Sequence, residues 1–289
     1  MSCKSGEASR VTYVATIHPV RAILSEIVGG RGEVIALVPS GASPHTYEPR
    51  PADASVAETA LALFYVDESL DGWAARLPAR VKVATFQMVD EPLRLPWMES
   101  IEIPSGDSNP QAAKPHDHHG RYDSHYWSDP EAVEAVARMG LVERLSALDP
   151  EGRDTYKANA LRFVNEIKAM DAELKAMFGP LRGRAVISFH MSWNYFFSRY
   201  GIRVVGAVEP QPGQEPTAQH LKRLIDLARE QDVKAILVEP QLPRRPAEVI
   251  AEATGTRIAE IDPNGGVEGR MTYRELIMHN ANALRDALQ

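Results

Sequence analysis

The sequence predicts an α/β protein of two lobes, and three observations carry that prediction. Short apolar runs alternate with helix-period segments in the first half of the chain, the same alternation returns in the second half, and one long helical pattern lies between them. Strands alternating with helices imply right-handed βαβ units and a parallel sheet in each half. A length of 289 residues suits two lobes, each large enough to bury a core.

Taken in order, residues 11–17 read as a strand, 20–28 as a helix, 34–38 as a strand, 51–60 as a helix, and 61–66 and 81–86 as strands. Residues 90–124 are rich in Pro, Gly, Ser, Asn and His and exceed the usual length of a connection, so they read as a functional or disordered loop. The first lobe is thus residues 1–148, with that loop inside it. In the linking segment, 149–180, Tyr156, Ala160, Phe163, Ile167, Met170, Leu174 and Met177 recur three and four apart. That spacing is one face of a helix of about 30 residues, roughly 45 Å long, packed across both lobes. Gly179 and Pro180 end it. The second lobe, 181–289, repeats the scheme with strands at 185–189, 203–208, 235–238 and 257–261 and a closing helix at 273–288.

Charge narrows the partners. Lys plus Arg number 32 and Asp plus Glu 39, a net charge of −7, which argues against nucleic acid or an acidic membrane surface and suits a cationic or neutral ligand. No stretch approaches the roughly 20 apolar residues that a bilayer span requires, and residues 1–10 lack the apolar region of a signal peptide. Cys3 is the single cysteine, which excludes an internal disulfide and a cysteine-based metal cage. It opens a short polar run ahead of the first strand, as the mature end of a bacterial lipoprotein would. An incidental residue in a frayed terminus is the other reading.

In an open parallel sheet, ligands bind beyond the carboxyl ends of the strands. Four residues stand there: His45 in GASPHTYEP after the second strand, His125 in DSHYW where the long loop meets a helix start, His190 at the end of AVISFH, and Asp262 at the end of RIAEID. Three neutral imidazoles and one carboxylate form a four-coordinate set suited to Zn²⁺ at about 2.0 to 2.2 Å. Such a closed set suits holding an ion rather than activating water. Singly, each has a plainer role, as a hydrogen-bonded strand-end residue or, for Asp262, a turn former. Glu239 also ends a strand, in ILVEPQ, and rivals Asp262 as the oxygen donor. His116, His118 and His119 lie on the loop just before His125 and are expected either to be simply solvated or to collect zinc transiently. His18, followed by Pro19, is read as structural, and His220 and His279 as surface or packing residues on helices.

Read together, GASPHTYEP, DSHYWSDP, SFHMSWNYFFSRYG and IDPNGGVEGRMTYRELIMHNANAL resemble the cluster A-I solute-binding proteins of zinc and manganese ABC transporters, the ZnuA/TroA-like family. The resemblance spans essentially the whole chain. It implies two four-stranded parallel lobes joined by one backbone helix, with a metal in the cleft held by His45, His125, His190 and Asp262. Manganese-type members usually carry Glu at the third position, so His190 implies zinc. It further implies a monomer in the cell envelope, lipid-anchored through Cys3 as many members are, that delivers its ion to an ABC permease driven by a separate ATPase. The linking helix then predicts small rigid-body tilts rather than wide hinge closure. The rival readings are manganese or iron(II) transport on the same fold, a surface adhesin, and a zinc hydrolase with Glu239 as general base.

Overall fold

The structure, a computed structural model, describes residues 11–96, 121–210 and 213–289. Cys3 and the His116, His118 and His119 run lie outside the described residues. The first half forms β1 (Val11–Ala15), α1 (His18–Val28), β2 (Gly32–Ala36), α2 (Pro51–Thr59), β3 (Ala62–Tyr65), α3 (Glu68–Asp71) and β4 (Lys82–Ala84). It continues through α4 (Pro130–Ala135), a π-helical turn at Val136–Leu141, and α5 (Val142–Leu148). The long helix is α6 (Arg153–Phe178). Beyond it come β5 (Ala185–Ser188), α7 (Asn194–Tyr200), β6 (Arg203–Ala207), α8 (Ala218–Glu230), β7 (Val233–Val238), α9 (Arg245–Thr254), β8 (Arg257–Glu260) and α10 (Tyr273–Leu288).

Each half contributes one four-stranded parallel sheet, ordered β2-β1-β3-β4 and β6-β5-β7-β8. Both therefore reverse strand order at the same place, between β1 and β3 and between β5 and β7, where a crevice opens at the carboxyl ends. The strands read as near-continuous apolar runs because helices cover both faces. Most stop one or two residues sooner than the sequence pattern suggests. His190 and Asp262 consequently stand two residues past β5 and β8 rather than on them.

The α6 seam matches the expected spacing at Tyr156, Ala160, Phe163, Ile167, Met170 and Leu174, all buried, and adds Val164. Its last buried residue is Phe178, while Met177 is only half-buried against the core. The seam's partners are the finding. One continuous apolar cluster runs from β1 and α1 through α4, α6 and α7 to α10, joining both lobes, and a smaller one lies among β5, β6, β7, α8 and α9 of the second lobe alone. Separating the lobes would expose that shared core to water, at roughly 25 cal/mol per Å² of apolar surface. Polar ties reinforce it: Arg199 on α7 reaches Asp171 on α6 at 2.8 Å, Asp129 ahead of α4 at 3.4 Å, and Glu131 on α4.

Candidate metal centre

The loop bearing His45 is fixed from the first lobe. Trp73 Nε1 donates to the Pro44 carbonyl at 3.2 Å, and the Tyr47 ring packs on Trp73 with centroids 5.2 Å apart. The Tyr47 hydroxyl donates to Asp53 at 2.7 Å, and Asp53 also accepts the Arg50 N–H to cap α2. These bonds leave little freedom to His45, which lies between Pro44 and Tyr47. His190 follows β5, a central strand with a neighbour on each side, and its ring is buried.

His125 is set by a carboxylate. Its Nδ1–H donates to Asp123 Oδ1 at 2.7 Å, and its backbone N–H donates to the same oxygen at 2.9 Å. Placing the ring proton on Nδ1 leaves Nε2 as a lone-pair donor aimed into the cleft, the arrangement by which outer carboxylates orient metal-binding imidazoles. Asp123 is itself fully buried and held by the second lobe. Asn194 Nδ2 donates to its Oδ2 at 3.0 Å, and the Tyr195 hydroxyl to its carbonyl at 2.8 Å. Sequence reasoning passed over Asp123 and Asn194. The signal was present for the first, an acid two residues ahead of His125, but nothing local pointed to Asn194.

These supports bring three imidazoles to one point. The rings of His45, His125 and His190 stand 5.0 to 5.4 Å apart, centroid to centroid. Among the described residues they form the group whose ligand atoms all lie within 4.8 Å of one another. His45 Nε2 and His125 Nε2 are 3.3 Å apart. A tetrahedral ion with Zn–N bonds of about 2.05 Å holds its nitrogens about 3.3 Å from each other, so this pair already has the bite that zinc requires. The cavity they line holds about 20 Å³, room for roughly one water-sized sphere.

Two acids stand just past strands of the second lobe, Glu239 after β7 and Asp262 after β8. Glu239 lines the same cavity and accepts from Ser192 Oγ at 2.7 Å. Burial pushes its carboxyl up to about 8, with Asp262 and Glu209 adding repulsion, so it keeps its proton at neutral pH. Asp262 is buried but stands outside the three-imidazole group. Its Oδ1 accepts from Gln241 Nε2 at 2.7 Å and from the N–H groups of Asn264 and Gly265, while its Oδ2 pairs with Arg270 at 2.9 Å. His18 opens α1 and packs on Gly266 across the cleft, His220 bonds the Ala207 carbonyl from α8, and His279 lies on α10.

The loops that carry these groups also meet one another. Trp127 Nε1 donates to the Pro263 carbonyl at 2.9 Å, and Ser40 Oγ to the Gly266 carbonyl at 2.7 Å. The carboxyl ends of the two sheets therefore face each other across the cluster.

Known proteins place this arrangement. The "High-affinity zinc uptake system protein ZnuA" of Yersinia pestis is 28% identical over 265 residues, which are 87% of this chain and 82% of that protein. A crystal structure of ZnuA superposes with a TM-score of 0.80 at 27% identity, covering 97% of this chain and all of that one. The laminin-binding protein Lmb of Streptococcus agalactiae, described as bifunctional in adhesion and metal transport, gives 0.80 at 25% identity over 96% of this chain and all of its own. The profile of the zinc-uptake family matches residues 14–287. With that match running through both sheets and every residue of the imidazole cluster, the chain belongs to the ZnuA family, the periplasmic component A of the zinc-uptake complex.

Proposed function

We propose that this chain captures Zn²⁺ on His45, His125 and His190, completes the shell with the Asp262 carboxylate, and passes the ion to a membrane permease driven by a separate ATPase. The observation that carries the reading is the convergence of three buried or half-buried imidazoles from both lobes on one point, with a nitrogen pair at zinc's own spacing. Nitrogen donors favour zinc over manganese, which prefers oxygen. Asp262 supports the fourth position as an oxygen donor just past β8, held by Arg270 at 2.9 Å and by the N–H groups of Asn264 and Gly265. Binding follows from this set, not catalysis, in keeping with a family of solute-binding proteins.

A specific observation favours a second reading of the fourth donor. Glu239 lines the cavity with the three imidazoles, and it would ligate once the ion displaced its proton. The remaining parts of the proposal rest on sequence alone: a monomer in the cell envelope, tethered by a lipid on Cys3, with His116, His118 and His119, just before His125 in the sequence, collecting zinc transiently. Among the described residues no helix is long and apolar enough to cross a membrane.

Competition against a chromophoric chelator, with elemental analysis of the purified protein, tests the site. If four ligands share a total of about 12 kcal/mol, each is worth about 3, so His45→Ala, His125→Ala or His190→Ala lowers zinc affinity more than about 100-fold. Asp123→Asn, which leaves all ligands in place, costs about 10- to 100-fold. Undiminished binding by the three His variants overturns the site, and stoichiometric manganese preferred over zinc overturns the ion.

A further inference from the structure

Among the described residues, Arg270 is the cation paired with the Asp262 carboxylate. Its Nη1 lies 2.9 Å from Asp262 Oδ2, and the carboxylate side chain is 4% exposed while the guanidinium side chain is 20% exposed. The chain reaches this position through a tight loop. Gly265 and Gly266 both take left-handed φ values, 66° and 80°, and the Gly266 N–H donates to the Arg270 carbonyl at 3.0 Å, closing residues 265–270 on themselves. A Cβ on Gly265 would stand 2.8 Å from the Arg270 carbonyl oxygen, and one on Gly266 would meet the His18 ring at 2.2 Å. The loop is thus built to return the side chain at 270 onto the acid at 262, and it is braced against the first lobe while doing so.

From this placement we infer that Arg270 is an affinity-setting residue, which competes with the bound metal for the Asp262 carboxylate and weakens the site enough for the ion to be released. The inference rests on the reading of Asp262 as the fourth donor. A carboxylate oxygen that donates a lone pair to a divalent ion gives up part of its bond to the guanidinium, and the two cations then face each other across one acid. Both effects lower the affinity of the loaded site, and both vanish when the guanidinium is neutralised. The remaining donors to Asp262, from Gln241 and the N–H groups of Asn264 and Gly265, all reach Oδ1. Oδ2 is therefore the oxygen that Arg270 controls.

The sign of the effect separates this role from a structural one. A residue that merely neutralises a buried acid leaves zinc binding weaker or unchanged when removed. An affinity-setting residue leaves it tighter. The test measures zinc affinity by chelator competition and the release rate by stopped-flow mixing with excess EDTA, for the wild type, Arg270→Gln, Arg270→Lys, Asp262→Asn and the Arg270→Gln/Asp262→Asn double variant. Arg270→Gln is expected to bind about tenfold tighter and to release correspondingly more slowly, the size of a typical coupling between two sites. Arg270→Lys keeps the charge, and with it the fold, but loses the planar fork. It is expected to shift affinity in the same direction by less. The gain is expected to disappear in the Asp262→Asn background.

Unchanged or weaker binding by a folded Arg270→Gln or Arg270→Lys protein overturns the inference, as does a gain that persists without the Asp262 carboxylate. Failure of the parent reading is separately visible: Asp262→Asn alone would then leave zinc affinity at the wild-type value.

Discussion

In the first lobe the buried carboxylate at the end of α3, Asp71, turns back on the chain leaving β3 and accepts the Val66 and Asp67 backbone N–H groups and the Thr16 hydroxyl. In the second lobe, immediately beyond β7, Glu239 accepts one bond from Ser192 and lines the metal cavity. Both acids are buried and both are pushed upward by burial, to about 7 and about 8. Only the first is surrounded by donors from its own lobe. The same strand order thus serves two ends. One lobe uses its buried acid to tie its own loops and offers the cavity the imidazoles of His45 and His125, while the other brings His190 and Glu239 to the same cavity.

The comparison breaks first at Asp71. Asp71→Ala is expected to leave one buried and one half-buried backbone N–H group without partners, at about 2 to 4 kcal/mol of stability, with zinc affinity of the folded fraction unchanged. Urea unfolding with parallel chelator competition measures both. An affinity loss without a stability loss would mean that the first lobe's acid also serves the cleft.

A smaller effect is expected where the lobes are tied. Burial raises the Asp171 carboxyl, but hydrogen bonds from Arg199, Lys175 and Tyr200 outweigh it and hold the group at about 2, below its ordinary 3.8. Because the folded value is depressed, this stability is fully present above about pH 4 and is lost as pH falls toward 2. Arg199→Met is expected to cost about 2 kcal/mol and to remove much of that acid-dependent loss, read from melting temperatures between pH 2 and 6. An unchanged acid profile would detach Asp171 from the tie.

The smallest effect is expected at the cavity itself. Glu239→Gln keeps the shape and a hydrogen-bonding acyl oxygen, and the acid it replaces is protonated at neutral pH, so zinc affinity should stay within about twofold by the same competition assay. A loss above 100-fold would transfer the fourth position from Asp262 to Glu239 and erase the division of labour within the second lobe.

The periodic patterns were enough for the two sheets and for α6, because burial on both faces forces apolar strands and a long helix crossing two lobes forces a seam at Tyr156, Phe163 and Leu174. Placement at strand and loop ends, joined to the motifs GASPHTYEP, DSHYWSDP and SFHMSW, selected His45, His125 and His190, the three that the fold brings together. Strand ends were less legible. The pattern ran on through Phe189 and Ile261, which are buried and still bond Glu209 and Val238 through single backbone hydrogen bonds after the paired register ends at Ser188 and Glu260, so apolarity marks the core and not the end of the paired strand.

What the sequence determined by itself was therefore the class of fold and the kind of atom offered to a ligand: three imidazole nitrogens and a choice of acids at strand ends. Which acid is free, paired or protonated was decided only by tertiary structure. Asp262 lies eight residues from Arg270, yet they meet only because two left-handed glycines fold the loop back. Asp123 can fix His125 only because Asn194 and Tyr195 arrive from the other lobe. The common core across α6 likewise appears in neither lobe's pattern alone. Hydrophobic periodicity is a local property and survives in the sequence, whereas the proton and charge state of a buried acid depends on neighbours that only folding supplies.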